Sequence, residues 1–546
     1  MPRTPLFREV VRTLRLARHS LHAGIGPDEL VEIGRERAVS RRRFVGVSAA
    51  ATAGLLLGGC APALRGGPRP GEAPVLIVGA GIAGLTAGHR LRQAGVPVRI
   101  MEAQERVGGR MYSLRDFFAD GQVAELGGEL IDTGHTRIRA LACELGLELD
   151  DLAADEPALA RDVWFFDGRR YTDAEVVEAF RPIAARIAAD LATLGGDGDV
   201  TYREPNGAEA LDRMTVAEWL DRNGVTGWMR ELLDVAYTTE YGLETDRQSA
   251  LNFLLMISPD PEPFHVFGAS DERFHVRGGN DRIPHALAAG LSDAIETGSV
   301  LEAVRPRGDG GFVASFRRGG SSFEVGAQHL VLAIPFTLLR EVRLDVPLPE
   351  PKRRAIRELG YGTNAKLMVG FSERVWRTRH GSNGSVLTDL PFQLTWESSR
   401  LQGGRAGILT NFTGGEHGVE LGRGTPAEQA AALARDLERV FPGAAAARAG
   451  MREVRFHWPS HPWTRGSYAS YLPGQWTAFR GVEQEPVGRL YFAGEHCSLE
   501  AQGFMEGGCE TGEAAARQIL ASLRVPAWTE AEQCAVERPE DEAVPA

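Results

Sequence analysis

The sequence predicts an α/β fold, and three features carry that prediction. A short apolar run, Val75–Val78, enters the pattern Gly79-Ala80-Gly81-Ile82-Ala83-Gly84; a helical stretch follows to about Gln93, and a second strand, Val98–Met101, ends at Glu102. Strand patterns return over Val300–Val304, Phe312–Phe316 and Leu330–Ile334, the last stopped by Pro335. Late in the chain, Leu490–Phe492 runs into Ala493-Gly494-Glu495 and precedes a helical stretch reaching Leu520.

Each element has a physical reason. Val75–Val78 is uniformly apolar, as a strand covered on both faces must be. Gly79 makes the tight turn, Gly81 lets a pyrophosphate approach the backbone, and Gly84 lets the helix pack close to the strand. The helix beginning at Ile82 and Ala83 turns its free N–H groups toward phosphate. Glu102 lies 23 residues after Gly79, where an acid meets a ribose hydroxyl. The order of strand, glycines, helix, strand and acid predicts a Rossmann-like dinucleotide-binding domain.

Farther along, residues 135–271 read as mostly helical, with amphipathic stretches at Val176–Leu194 and Val216–Leu233. Arg277–Asn280 reads as a loop before a helix to about Leu291, and residues 341–459 mix strands and helices. Leu367, Val369 and Phe371 alternate with Met368 and Gly370 as a strand would. Residues 60–73 are a Pro/Gly-rich linker, and 526–546, rich in Pro and Glu, are expected to be disordered.

A chain of 546 residues can hold two or three domains. Residues 1–59 carry ten Arg and five acids, whereas the whole chain carries −12, so the remainder holds about −17. An acidic body argues against nucleic acid as a partner. The five cysteines, Cys60, Cys143, Cys497, Cys509 and Cys534, form no C-x-x-C pair, so no metal site is predicted.

Residues 1–59 read as an export region. Ser40-Arg41-Arg42-Arg43-Phe44 matches the twin-arginine signal, followed by a soft apolar stretch from Val45 to Gly59. Leu56-Leu57-Gly58-Gly59-Cys60 looks like a lipoprotein processing box with Cys60 carrying the lipid; a plain cleaved signal and an uncleaved anchor are the alternatives. The expected location is the periplasm or its membrane surface, with the twin-arginine machinery as a partner.

After Glu102 come Arg106-Val107-Gly108-Gly109-Arg110 and Glu125-Leu126-Gly127-Gly128; far downstream come Phe492-Ala493-Gly494-Glu495 and Gly503-Phe504-Met505-Glu506-Gly507-Gly508. With these paired motifs, residues 74–525 resemble the flavin-containing amine oxidase family of monoamine, polyamine and L-amino-acid oxidases. The resemblance implies a Rossmann-like FAD-binding domain of 74–134, 272–340 and 460–525, interleaved with an α+β substrate domain of 135–271 and 341–459. It implies FAD held by Gly79, Gly81, Ala83, Gly84, Glu102, Arg110, Gly127, Gly128, Val304, Gly494, Glu495 and Met505. The implied reaction is oxidation of an amine with dioxygen reduced to hydrogen peroxide. An L-amino-acid oxidase and a flavin-bound lipoprotein of little turnover are the alternatives.

Of 61 basic residues only Lys352 and Lys366 are lysines. Arg holds its proton too firmly to relay it, so a retained lysine invites a chemical reading. Lys366 sits where the family's lysine reaches the flavin through a water; Lys352, in Pro351-Lys352-Arg353-Arg354, reads as a surface charge. Tyr468 and Phe504 match the two aromatic walls that flank the amine in the family, where Tyr is usual in both places. Ser467 stands at the position of the monoamine oxidases' flavin-linking cysteine, which implies non-covalent FAD. Cys497 reads as a buried structural thiol. Leu130 occupies the place of a venom-type amino-acid oxidase's carboxylate-binding arginine. Glu129 and Asp132 are open to two readings: either faces an amine cation, or Glu129 meets flavin or solvent and Asp132 caps the following helix.

Overall fold

The computed structural model describes residues 72–155, 158–196, 199–260, 263–529, 534 and 536. Arg41, Arg42 and Cys60, with the rest of the export region, lie outside the described residues.

An eight-stranded sheet forms the first layer: seven strands run in the order Arg343–Leu344, Val300–Pro306, Phe312–Arg318, Ser321–Leu332, Glu72–Val78, Val98–Met101, Ile295–Glu296, and the eighth, Leu490–Phe492, branches from Ser321–Leu332. The long strand Ser321–Leu332 does two jobs. Its first half is an antiparallel hairpin partner of Phe312–Arg318. Its second half runs parallel to both Glu72–Val78 and Leu490–Phe492, with Leu332 opposite Val78 and Phe492. Val78 also pairs with Met101. Four parallel strands therefore finish at one edge, which is where an open α/β sheet leaves a ligand crevice.

The early and late motifs are joined by helices. Met505–Leu523 lies along Ile82–Gln93, and its Gly508 and Gly512, one turn apart, make the approach possible. A Cβ on Gly512 would lie 2.4 Å from the Ala83 carbonyl oxygen. Buried Arg90 then bonds Glu513 at 3.0 Å across the two helices.

The second sheet runs Glu453–His457, Ala365–Phe371, Gly407–Thr413, Leu394–Glu397, Val386–Thr388, Val163–Phe166, Arg169–Tyr171. The last two strands correct the mostly helical reading of 135–271. Asp167 and Gly168, both at positive φ (51° and 72°), turn the apolar strand Val163–Phe166 back on itself, as an Asp-Gly hairpin does. The single helix expected over Val216–Leu233 is two, Val216–Arg222 and Gly227–Tyr241, broken at Asn223-Gly224.

Two domain edges also shift. Arg343–Leu344, assigned to the substrate domain, pairs with Val300–Pro306 in the first sheet. The start of the tail is docked rather than disordered: Trp528 lies 4.0 Å from the Arg517 guanidinium, and Cys534 forms a disulfide with Cys143 on the helix Thr136–Glu144. Among the described residues no helix is long and apolar enough to cross a membrane.

Candidate active site

A cavity of about 640 Å³ opens at the ends of the parallel strands. Gly79, Gly81, Ala83, Glu102, Arg110, Gly127, Gly128, Gly494, Glu495 and Met505 line it, as do Lys366, Tyr468 and Phe504, so segments spanning most of the chain converge on one space. Two expected residues stand back from it. Gly84 is the contact between helix and turn, where a Cβ would lie 2.0 Å from the Gly79 oxygen. Val304, expected at the cofactor, is instead fully buried in the sheet core. The earlier end of its strand, Ser299–Glu302, forms the wall, so the correction is a shift along the strand.

The glycine end fits a dinucleotide. Gly79 adopts φ +102°, and a Cβ there would lie 2.4 Å from the Ala333 oxygen. A Cβ on Gly81 would meet only Gly109 Cα, at 3.9 Å, which leaves room for a ligand beside the backbone. The helix starting at Ile82 has no side-chain cap, so its first-turn N–H groups are available to phosphate. The Glu102 carboxylate accepts from Ala80 N at 2.6 Å and Gln104 N at 2.8 Å, and burial raises it above the usual carboxylate range. His496 also lines the cavity, and among the described residues neither of its buried ring nitrogens has a hydrogen-bond partner. Arg110 ties the early motif to the late one, bonding Glu495 and the Ser467 carbonyl, each at 2.8 Å.

Lys366 is placed by sheet register. It lies opposite Phe412, which lies opposite Leu394, so the three form a row across adjacent strands. Leu394, Trp396 and Phe412 all line the cavity, a wall that sequence reasoning missed. Lys366 Nζ donates to Glu129 Oε2 at 2.7 Å and to the Gly127 oxygen at 2.8 Å. Burial alone would raise the Glu129 carboxyl, but the Lys366 ammonium, with Ser398 and Trp396, outweighs it and holds the group below its usual range. Glu129 is therefore the partner of the lysine, and it also lines the cavity.

Asp132 neither lines the cavity nor caps the following helix. It accepts from Ser270 Oγ and from Glu272 N, both at 2.9 Å, and sits 3.3 Å from His135 Nε2. Burial, together with the Asp271 charge, pushes it up to about 7. It anchors the loop that carries Glu272, a cavity-lining acid the sequence reading missed.

Tyr468 donates to the Glu240 oxygen at 2.7 Å, which fixes its ring on the wall. Phe504 packs against His135 at 5.0 Å between ring centres. Gly503 brings the two segments together, since a Cβ there would touch the Tyr468 ring at 3.4 Å. Ser467 Oγ bonds Asn364 Oδ1 at 2.6 Å.

Lys352 is not on the surface. Its side chain is buried, donates to the Glu483 oxygen at 2.9 Å and lies 3.9 Å from the Phe492 ring centre. Burial lowers it to about 8. On the helix Glu350–Glu358, Lys352 shares the inward face with Ala355 and Ile356, a spacing that outweighs the neighbouring arginines. Cys497 and Cys509 are buried free thiols.

Residues 82–520 match the family model of flavin containing amine oxidoreductases. The L-amino acid dehydrogenase of Synechocystis is 28% identical over 466 residues, covering 82% of this chain and 95% of that protein. Amine oxidase [flavin-containing] B of Sus scrofa is 28% identical over 462 residues, covering 82% and 86%. Among solved structures, cyclohexylamine oxidase from Brevibacterium oxydans superposes with a TM-score of 0.72 at 24% identity, covering 83% of this chain and 100% of that one. Putrescine oxidase bound to putrescine gives 0.69 at 24% identity, covering 82% and 99%.

Proposed function

The chain belongs to the flavin-containing amine oxidoreductases, with FAD as its cofactor, and we propose that it oxidises a primary or secondary amine rather than an amino acid. One observation carries that choice. Every Arg or Lys lining the cavity already faces an acid: Arg110 with Glu495, Lys366 with Glu129, Arg317 with Glu302, and Arg465 with Glu341. Arg317–Glu302 and Arg465–Glu341 are exposed, whereas Lys366–Glu129 is buried on both sides, and an amino-acid carboxylate reaching that lysine would have to break the pair at high cost. The alternative reading, an amino-acid oxidase, draws on the cyanobacterial L-amino acid dehydrogenase. A panel of amines, polyamines and L-amino acids, assayed for hydrogen peroxide, separates the two. Peroxide from amino acids alone would overturn this proposal.

FAD bound in this cavity would supply the two-electron acceptor for the amine's α-C–H bond, with dioxygen as the final acceptor and peroxide as its product. The protein's part is positional. Tyr468 and Phe504 wall the substrate end with aromatic faces, which favour a nitrogen bearing partial positive charge. Leu394, Phe412 and Trp396 exclude water. Lys366, held by Glu129 on the cavity wall, would supply an N–H donor to charge developing on the reduced oxygen.

Non-covalent attachment of FAD is supported by Ser467, whose hydroxyl is bonded to Asn364. Acid precipitation is expected to leave yellow flavin in the supernatant; flavin remaining on the denatured chain would contradict it. Export by the twin-arginine route with lipid at Cys60 rests on the N-terminal motif. The Cys143–Cys534 disulfide supports an oxidising compartment.

A further inference from the structure

Phe504, one of the two aromatic walls, is backed by a polar ring that does not line the cavity. The His135 ring packs against it at 5.0 Å between ring centres, tilted by 55°. His135 is 3% exposed, so its ring nitrogens need partners within the protein. Asp132 supplies both. The Asp132 backbone N–H donates to His135 Nδ1 at 3.0 Å, and Asp132 Oδ2 lies 3.3 Å from His135 Nε2. Burial holds the ring below its usual range, so it is neutral. With Nδ1 accepting, the one ring proton sits on Nε2 and is donated to the Asp132 carboxyl. Tautomer and ring orientation are fixed together.

The same carboxyl reaches a second wall. Asp132 Oδ1 accepts from Ser270 Oγ and from Glu272 N, both at 2.9 Å. The loop they belong to brings Phe267 to the cavity, and the segment just before Asp132 brings Glu129 and Leu130. Asp132, 2% exposed, stands behind these pieces, with one oxygen bonded to each side. A further tie joins the backbones that carry the two rings. The helix Thr136–Glu144 has no side-chain cap of its own. Glu506, just after Phe504, takes that place by accepting from Arg137 N at 3.0 Å and Ile138 N at 2.8 Å.

We infer that Asp132 and His135 are positioning residues for amine oxidation, which act by holding the Phe504 ring on the substrate wall. The inference rests on the amine-oxidase reading above and adds to it two residues outside the cavity lining. Asparagine cannot take the place of Asp132. If its amide oxygen faces the loop, its NH2 meets the Nε2–H of His135. Moving that proton to Nδ1 sets it against the backbone N–H of residue 132. If the oxygen faces His135 instead, the NH2 meets the Glu272 N–H. Every arrangement leaves two donors facing each other.

The test is stopped-flow reduction of the FAD-loaded enzyme under nitrogen by butylamine and by 1,4-diaminobutane, followed by reoxidation with dioxygen. It is run at about pH 8, where the Asp132 carboxyl, raised to about 7, is ionised. His135→Ala and Asp132→Asn are each expected to lower the efficiency of flavin reduction by about 10–30-fold. Reoxidation should stay within about twofold of the wild type, since the Lys366–Glu129 pair is untouched. His135→Phe, which keeps a ring against Phe504, should recover part of the loss. In a Phe504→Ala background, adding His135→Ala should change reduction by less than about twofold, because the ring it holds is gone. FAD content and melting temperature check folding, and His135→Phe carries the same cycle if His135→Ala does not hold FAD. Unchanged reduction in folded His135→Ala overturns the inference, as do equal losses with and without Phe504 or a parallel fall in reoxidation; each leaves the amine-oxidase reading standing. If neither amine reduces the wild-type flavin, that reading fails and this inference fails with it.

Discussion

Lys366 and Glu129 must be tested as a pair. Replacing Lys366 with Met removes the charge from the oxygen-reducing site and also leaves a buried carboxylate without its cation. The first effect should lower oxygen turnover by about 10²–10³. The second should cost about 3–5 kcal/mol of stability. The double variant Lys366→Met/Glu129→Gln separates them: melting temperature should recover while oxygen turnover stays low. Lys366→Arg should rescue turnover poorly, since its planar head is broader and its proton more firmly held. Lys352 is no control, being buried; exposed Arg353→Met serves instead and should leave turnover unchanged. Oxygen uptake at saturating amine, with thermal melts of each variant, checks all of this. Full oxygen turnover in Lys366→Met would remove the lysine from the chemistry. Scarcity of lysine marked both Lys352 and Lys366, and the match to the family's motif singled out Lys366. Its partner was not legible, because Glu129 lies 237 positions away and meets it only once the second sheet docks on the glycine motif.

At the scale of elements, the joint between Ile82–Gln93 and Met505–Leu523 holds the first glycine motif against the last one. Gly512→Val would force a side chain onto the Ala83 carbonyl, 2.4 Å from where its Cβ must sit. Overpacking of this kind costs about 1–3 kcal/mol. Because Ala83 lines the cavity, the variant should lose FAD as well as melting temperature, read by the flavin-to-protein absorbance ratio. Unchanged flavin content would show that the joint does not position the site. The strand-glycine-helix-strand order was legible because its periodicity and turn chemistry are local. The hairpin Val163–Tyr171 was overlooked although Asp167-Gly168 marks it, since the helices on both sides dominated the reading. Val304 was misplaced because a run of strand residues identifies the strand, whereas which end borders the cavity depends on its neighbours. The aromatic row on the second sheet depends on cross-strand register, which no single segment encodes.

Across the whole molecule, motifs more than 400 residues apart in sequence line one cavity, Gly79 among the first and Met505 among the last. The docking of Trp528 and the Cys143–Cys534 bridge extend that closure to the tail. Neither was legible, because composition there signals polarity and not pairing. A protein that must bind its cofactor and fold before crossing a membrane fits the proposed twin-arginine route. Arg41→Lys with Arg42→Lys should hold the precursor in the cytoplasm, and Cys60→Ala should release mature protein from the membrane fraction, both read by fractionation and immunoblot. Normal export of the first variant or unchanged membrane association of the second would contradict the corresponding half. The central claim, that this cavity oxidises amines with its FAD, is tested most directly by anaerobic mixing. Purified yellow protein is titrated with 1,4-diaminobutane and butylamine under nitrogen, and dioxygen is then admitted. The expected result is bleaching of the flavin by amine, return of colour with oxygen, and one hydrogen peroxide per amine consumed. Flavin that stays oxidised with every amine yet bleaches with an L-amino acid would contradict it.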